Sequence, residues 1–104
     1  MAEKVIWSAI VRKDLRNIAT YLAEDRRSLV AEYYLQLIEF AESAGDFPRL
    51  GRVVPELENE NVREILRSPY RIIYEIFPAQ PRPVIMRVWR GARGTPEIIR
   101  PTLP

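Results

Sequence analysis

Two apolar stripes at helical spacing, set back to back, constrain this chain most. Ser8 fits a helix N-cap. After it, Val11, Leu15, Ile18 and Leu22 recur at 4-3-4 spacing, with Arg12, Lys13, Arg16 and Asn17 off the stripe. That is the 3.6-residue period of an amphipathic helix about 15 residues long. A short polar connection follows, Ala23-Glu24-Asp25-Arg26-Arg27, in which the two arginines read as a solvated turn. A second stripe comes next, made of Val30, Tyr34, Leu37, Ile38 and Ala41 and widened by Tyr33 and Phe40. It predicts a helix from about Arg27 or Ser28 to Ala44, with Gly45 as the C-terminal stop. So short a connection makes the two helices antiparallel neighbours. Their apolar faces then need a third surface to bury against.

The rest of the chain supplies that surface. Residues 4–7 read as a short strand. A loop over 46–57 holds two prolines and a glycine, and Glu58-Asn59-Glu60-Asn61 is turn-like. Strands are predicted over Val62–Arg67, Tyr70–Phe77 and Val84–Trp89, joined by Ser68-Pro69 and by a proline-rich hairpin loop over Pro78–Pro83. From Arg90 the tail is irregular, with Glu97–Arg100 able to pair briefly. The order β-α-α-β-β-β implies an α+β fold, with a two-helix hairpin on one face of a small, mainly antiparallel sheet. At 104 residues the whole of 1–104 is expected to form a single domain. Strict alternation puts Val84, Met86 and Val88 toward the helices and Ile85, Arg87 and Trp89 on the other face. Arg63, Ile65 and Arg67, then Arg71, Ile73 and Glu75, are expected beside Arg87 on that open face. A register slip of one residue would invert this assignment.

Composition removes several chemistries. The chain has no cysteine and no histidine, so disulfides, thiolate metal sites, histidine triads and histidine general bases are excluded. P-loop, dinucleotide, HExxH and EF-hand signatures are absent as well. The start, Met1–Trp7, lacks the apolar core of a signal peptide. No run approaches the roughly 20 apolar residues of a membrane span, so a cytoplasmic location is expected. Charge is uneven: residues 1–50 hold seven basic and eight acidic side chains, whereas 51–104 hold nine and six. All nine later bases are arginine, the better residue for bidentate pairing with phosphate or carboxylate. A GC-rich genome that favours arginine codons would give the same bias.

With these elements in place, the ordered motifs resemble the RelE/ParE toxins of type II toxin–antitoxin systems, the plasmid stabilisation proteins. The resemblance rests on Asp14-Leu15-Arg16-Asn17-Ile18-Ala19-Thr20-Tyr21-Leu22-Ala23 in the first helix and Phe47-Pro48-Arg49-Leu50-Gly51-Arg52 after the second. Val53-Val54-Pro55-Glu56-Leu57, Val62-Arg63-Glu64-Ile65, Tyr70-Arg71-Ile72-Ile73-Tyr74-Glu75-Ile76 and Val88-Trp89-Arg90-Gly91-Ala92-Arg93 complete it, over nearly the whole chain. The resemblance implies a growth-arresting toxin, neutralised by a cognate antitoxin in a hetero-oligomer, with no cofactor and no membrane partner. It leaves two targets: DNA gyrase for ParE-like members, and ribosome-bound mRNA for RelE-like endonucleases. A non-toxic RNA- or partner-binding module on the same scaffold is a third reading. The chain also departs from the pattern. It carries Arg90-Gly91-Ala92-Arg93 where many relatives have His-Gly-x-Arg, no tyrosine after Tyr74, and only Arg52 as a base between Gly51 and Val62.

Cleavage of RNA through its 2′-hydroxyl needs a base, an acid and cations around the phosphorane. Arg63, Arg87 and Arg90 are the candidate cations, and Glu56 or Glu64 the candidate base. No acid is evident, because arginine stays protonated. Arg52, Arg67, Arg71, Trp89 and Arg93 are the candidate binding residues. A gyrase inhibitor needs only such a surface, which places gyrase slightly ahead. The structural alternatives are cross-strand pairing for Arg63 with Glu64, a loop-ordering role for Arg52 and Glu56, and half-buried sheet positions for Tyr70, Tyr74 and Trp89.

Overall fold

A computed structural model describes residues 4–25 and 27–94, and their side chains apart from those of 22–31. The expectations for Arg26 and the side chains of Arg27, Leu22 and Val30, and for Glu97–Arg100, lie outside the described residues. The elements are β1 (Ile6–Trp7), α1 (Ala9–Asp25), α2 (Arg27–Asp46), β2 (Arg52–Val53), β3 (Val62–Arg67), β4 (Tyr70–Glu75), β5 (Val84–Arg90) and a 3-10 turn (Gly91–Arg93). The strands form one sheet in the order β1-β5-β4-β3-β2. β1 runs parallel to β5, and the other pairs are antiparallel. The two helices and the five-stranded mixed sheet make the expected α+β fold. β2 falls in the stretch read as loop, because two residues are too few for alternation to show.

Both helices start and stop for identifiable reasons. Ser8 caps α1, its Oγ accepting the Val11 N–H at 3.1 Å and satisfying one of the four orphan amides of the first turn. α2 runs to Asp46, one residue past the stop expected at Gly45. Gly45 serves close packing instead: a Cβ there would lie 2.6 Å from the Lys4 Cβ. The chain entering β1 therefore lies against the end of α2, and an exposed Lys4–Asp46 ion pair at 3.0 Å closes the contact.

The main core lies between helices and sheet. Val11, Leu15 and Ile18 of α1 and Leu37, Ala41 and Ala44 of α2 pack on Tyr70, Ile72 and Tyr74 of β4 and on Ile85 and Val88 of β5. Ile85 and Val88 are three residues apart yet face the same side. The register explains this: Ile73 pairs with Arg87 but Tyr74 pairs with Ile85, so Met86 is an extra residue in a β-bulge. The strict alternation expected for β5 therefore fails before Arg87. Ile85 faces the helices, Val84 lies opposite Glu75 on the far face, and only Arg87, Val88 and Trp89 keep their expected sides.

The β3 assignment is also inverted. Arg67 lies opposite Tyr70 and Ile65 opposite Ile72, so Arg63, Ile65 and Arg67 share the helix-facing side. Directly opposed residues share a face, and the larger apolar set Tyr70, Ile72 and Tyr74 decides which face is buried. Arg71, Ile73 and Glu75 lie on the far face as expected, joined there by Glu64. That far face is not open. Val54, Val62, Ile73 and Trp89 form a second small buried cluster on it.

Tyr74 ties the sheet to the loop after α2. Its hydroxyl donates to the Pro48 carbonyl at 2.6 Å and accepts the Gly51 N–H at 3.0 Å. Tyr74→Phe removes both bonds and leaves a buried carbonyl and amide unpaired. Chemical denaturation should show a loss of about 1–3 kcal/mol.

Candidate functional site

Seven of the arginines on and after β2 fall into two groups, which differ in what holds them. In the first group each guanidinium has polar partners. Arg52 Nε donates to Glu64 Oε2 at 2.7 Å, and Arg71 Nε donates to Glu64 Oε1 at 2.5 Å. Arg71 also grips Glu56 through both terminal nitrogens, at 2.8 and 2.9 Å. The result is a chain Arg52–Glu64–Arg71–Glu56 across β2, β3, β4 and the loop beyond β2. The Glu64 side chain is fully buried, with both oxygens occupied, as a carboxylate removed from water requires. Arg63 spends its donors on backbone carbonyls of the loops, Glu60 at 2.9 Å and Gly51 at 3.0 Å. Arg67 donates to Gln36 Oε1 at 2.5 Å and lies over the Tyr33 ring at 5.0 Å.

Arg87 completes this group from β5. Its Nε and one terminal nitrogen both donate to Asp14, each at 2.8 Å. Asp14 also accepts the Val88 backbone N–H at 3.1 Å. β1 pairs β5 at Val84 and Ile85, and among the described residues no strand lies beside the later amides on that edge. The α1 carboxylate takes the place of a strand there. Asp14 sits three residues after Val11, next to Leu15, so it belongs to the buried stripe of α1. A carboxylate in that position was the available sign of a buried partner.

The second group is Arg90 and Arg93. Among the described residues neither has a polar partner. The Arg93 guanidinium lies 3.9 Å from the centre of the Trp89 ring, and Arg90 lies 5.7 Å from that of Tyr21. Arg87 also lies over Trp89, at 4.7 Å. Trp89 itself is buried, its indole N–H donating to the Gly94 carbonyl at 3.1 Å. It supports the arginines and is not an exposed stacking platform. Arg90 and Arg93 also line a small pocket with Asn17 and Tyr21 of α1 and with Tyr70 of β4. Burial, then the neighbouring Tyr33 phenol, pushes the Tyr70 hydroxyl up, so it remains a proton donor at neutral pH.

The candidate residues are thus not gathered in one place. Arg52, Arg71 and Glu56 form one network with Glu64, while Arg63 and Arg67 lie at the helix-side rim. Arg87, Trp89, Arg90 and Arg93 gather at the end of β5, where sequence reasoning missed Asp14, Asn17 and Tyr21. The described residues contain no group of three or more acidic side chains able to hold a metal ion. None of their helices is long and apolar enough to cross a membrane.

The family model described as the ParE toxin of the type II toxin–antitoxin system, parDE, matches residues 5–94. The chain belongs to the ParE toxin family. It is therefore a toxin component of the type II class, and the resemblance to RelE/ParE toxins holds. A solved chain from the chromosomal ParDE TA system of P. aeruginosa superposes with a TM-score of 0.66 at 16% identity, covering 86% of this chain and 98% of that one. At that identity the likeness concerns the fold. No curated protein sequence matches.

In this ParE-family chain, the hydrogen bonds from Arg71 hold the Glu56 carboxyl down at about 2. A lowered pKa stabilises the folded state above the ordinary carboxylate range, and that contribution fades as pH falls from 4.5 toward 2. Glu56→Gln should therefore cost about 1 kcal/mol near neutral pH, because solvent still reaches the pair. The difference from the parent should vanish in urea unfolding near pH 2. Asp14→Ala removes the carboxylate that both Arg87 and the Val88 amide bond to, and should cost about 3–5 kcal/mol. Replacing Asp14 by Leu and Arg87 by Met together should restore most of that loss in the same measurement.

Proposed function

We propose that this ParE-family toxin arrests growth by inhibiting DNA gyrase, and that a cognate antitoxin neutralises it in a hetero-oligomer. The Arg71–Glu56 clamp carries the choice over mRNA cleavage. A general base works best with a pKa near the operating pH, and a carboxyl held at about 2 by two guanidinium bonds is a poor one. Glu64, the other candidate base, has both oxygens occupied. The candidate cations Arg63 and Arg87 are committed to backbone carbonyls and to Asp14. Recognition of a partner asks none of this of them. It needs a rigid surface with donors to spare, and Arg90 and Arg93 at the end of β5 supply it, with Trp89 holding Arg93 in place. Arg52, Arg67 and Arg71 then contribute as parts of the scaffold. The match to the ParE toxin family model supports the toxin–antitoxin part of this reading.

Expression of the chain alone should arrest bacterial growth, and co-expression of the small neighbouring gene should relieve the arrest. The purified chain should block supercoiling by gyrase and leave translated mRNA uncut in primer extension. Cut mRNA with unimpaired supercoiling would replace this reading with the RelE-like one. Normal growth at high expression would point to a non-toxic binding module.

A further inference from the structure

From the pocket between α1 and the end of β5, we infer a phosphate-group binding site built from Arg90, Arg93, Asn17, Tyr21 and Tyr70. Arg52, Arg63, Arg67, Arg71 and Arg87 all donate to carboxylates, an amide or backbone carbonyls. Among the described residues, Arg90 and Arg93 are held by aromatic rings alone, at 5.7 and 3.9 Å. An aromatic ring takes no conventional hydrogen bond, so the N–H donors of both guanidiniums are left to solvent or a ligand. The two side chains are thus positioned without being neutralised, the arrangement an anion site requires.

The surroundings narrow the ligand. The pocket is an open cleft of about 150 Å³, well below the roughly 300 Å³ at which small-molecule pockets begin. It seats one chemical group, with the rest of any larger ligand lying outside it. Its lining offers two guanidiniums, an amide and two phenols, with Ile18 and Val88 as apolar walls. Five donor side chains exceed what the two oxygens of a carboxylate can use, and suit a tetrahedral phosphate. Asp14 also lines the pocket, but its charge is met by Arg87 at 2.8 Å, so the pocket keeps a positive balance. The phosphate can belong to a small free phosphate compound or to a nucleic-acid backbone. Arg90 and Arg93 also carry the partner surface proposed above, but phosphate binding is read on the folded chain without gyrase, so the site can fail or hold whatever the gyrase assay shows.

The test follows backbone amide shifts of the folded chain by NMR while inorganic phosphate is added at constant ionic strength. Saturable shifts should centre on Asn17, Tyr21, Tyr70, Arg90 and Arg93. In Arg90→Gln/Arg93→Gln, with unchanged circular dichroism, the affinity should fall by about tenfold or more. An unchanged affinity in that variant, or shifts that never saturate, would overturn the site. Acetate binding as tightly as phosphate would overturn the choice of ligand. A short single-stranded oligonucleotide supplies the second arm. If it binds the same residues more tightly than phosphate, with steep salt dependence, the group belongs to a nucleic-acid backbone. If only inorganic phosphate binds, the source is a small free compound. Either result supports the site.

Discussion

The carboxylate of Asp14 connects the two halves of this molecule. β5 needs a partner on the edge that β1 leaves uncovered after Ile85, and α1 needs a fixed position on the sheet. One side chain does both by accepting the Val88 amide and the Arg87 guanidinium. Buried charges persist where they are paired and hydrogen-bonded, and this pair has both. Its effect continues outward. Arg87, held by Asp14, lies over Trp89, which bonds to Gly94 and carries Arg93 on its ring. The position of the outermost cation thus traces back through three contacts to a carboxylate in the buried stripe of a helix.

Most of the arginines in the second half of the chain serve the fold. The chain Arg52–Glu64–Arg71–Glu56 crosses three strands and a loop. It covers a face that has little apolar material beyond the cluster of Val54, Val62, Ile73 and Trp89. Arg63 and Arg67 stabilise loops and the α2 flank at the rim of the main core. An arginine-rich sheet therefore does not by itself make a cationic surface, because charge that is paired within the protein contributes little field outside it. The partner surface proposed above is accordingly local, at the end of β5.

The β-bulge explains much of what sequence reasoning misplaced. Alternation read from Val84 onward assumes an unbroken pleat, and Met86 breaks it. A bulge depends on what the neighbouring strand and the helices demand, so nothing in Val-Ile-Met-Arg-Val-Trp announces it. The β3 register has the same cause. Each strand alternates correctly within itself, but which phase faces the helices is decided only when Tyr70, Ile72 and Tyr74 outweigh the opposite phase for the core. The catalytic reading of Glu56 was similarly open in sequence, because Arg71 is 15 residues away along the chain and adjacent only in space.

Local periodicity and capping are legible in the sequence alone. The two helical stripes, the Ser8 cap, the three long strands and the order of these longer elements follow from neighbours along the chain, and composition alone excludes histidine and thiol chemistry. Family membership follows from the same ordered motifs. Only the tertiary structure decided which face each arginine occupies and whether it is paired. Those outcomes turn on contacts between residues far apart in sequence, such as Asp14 with Arg87 or Glu64 with both Arg52 and Arg71. A guanidinium looks the same in sequence whether it is neutralised in the interior or held against a ring at the surface, and that difference separates the scaffold from the proposed site.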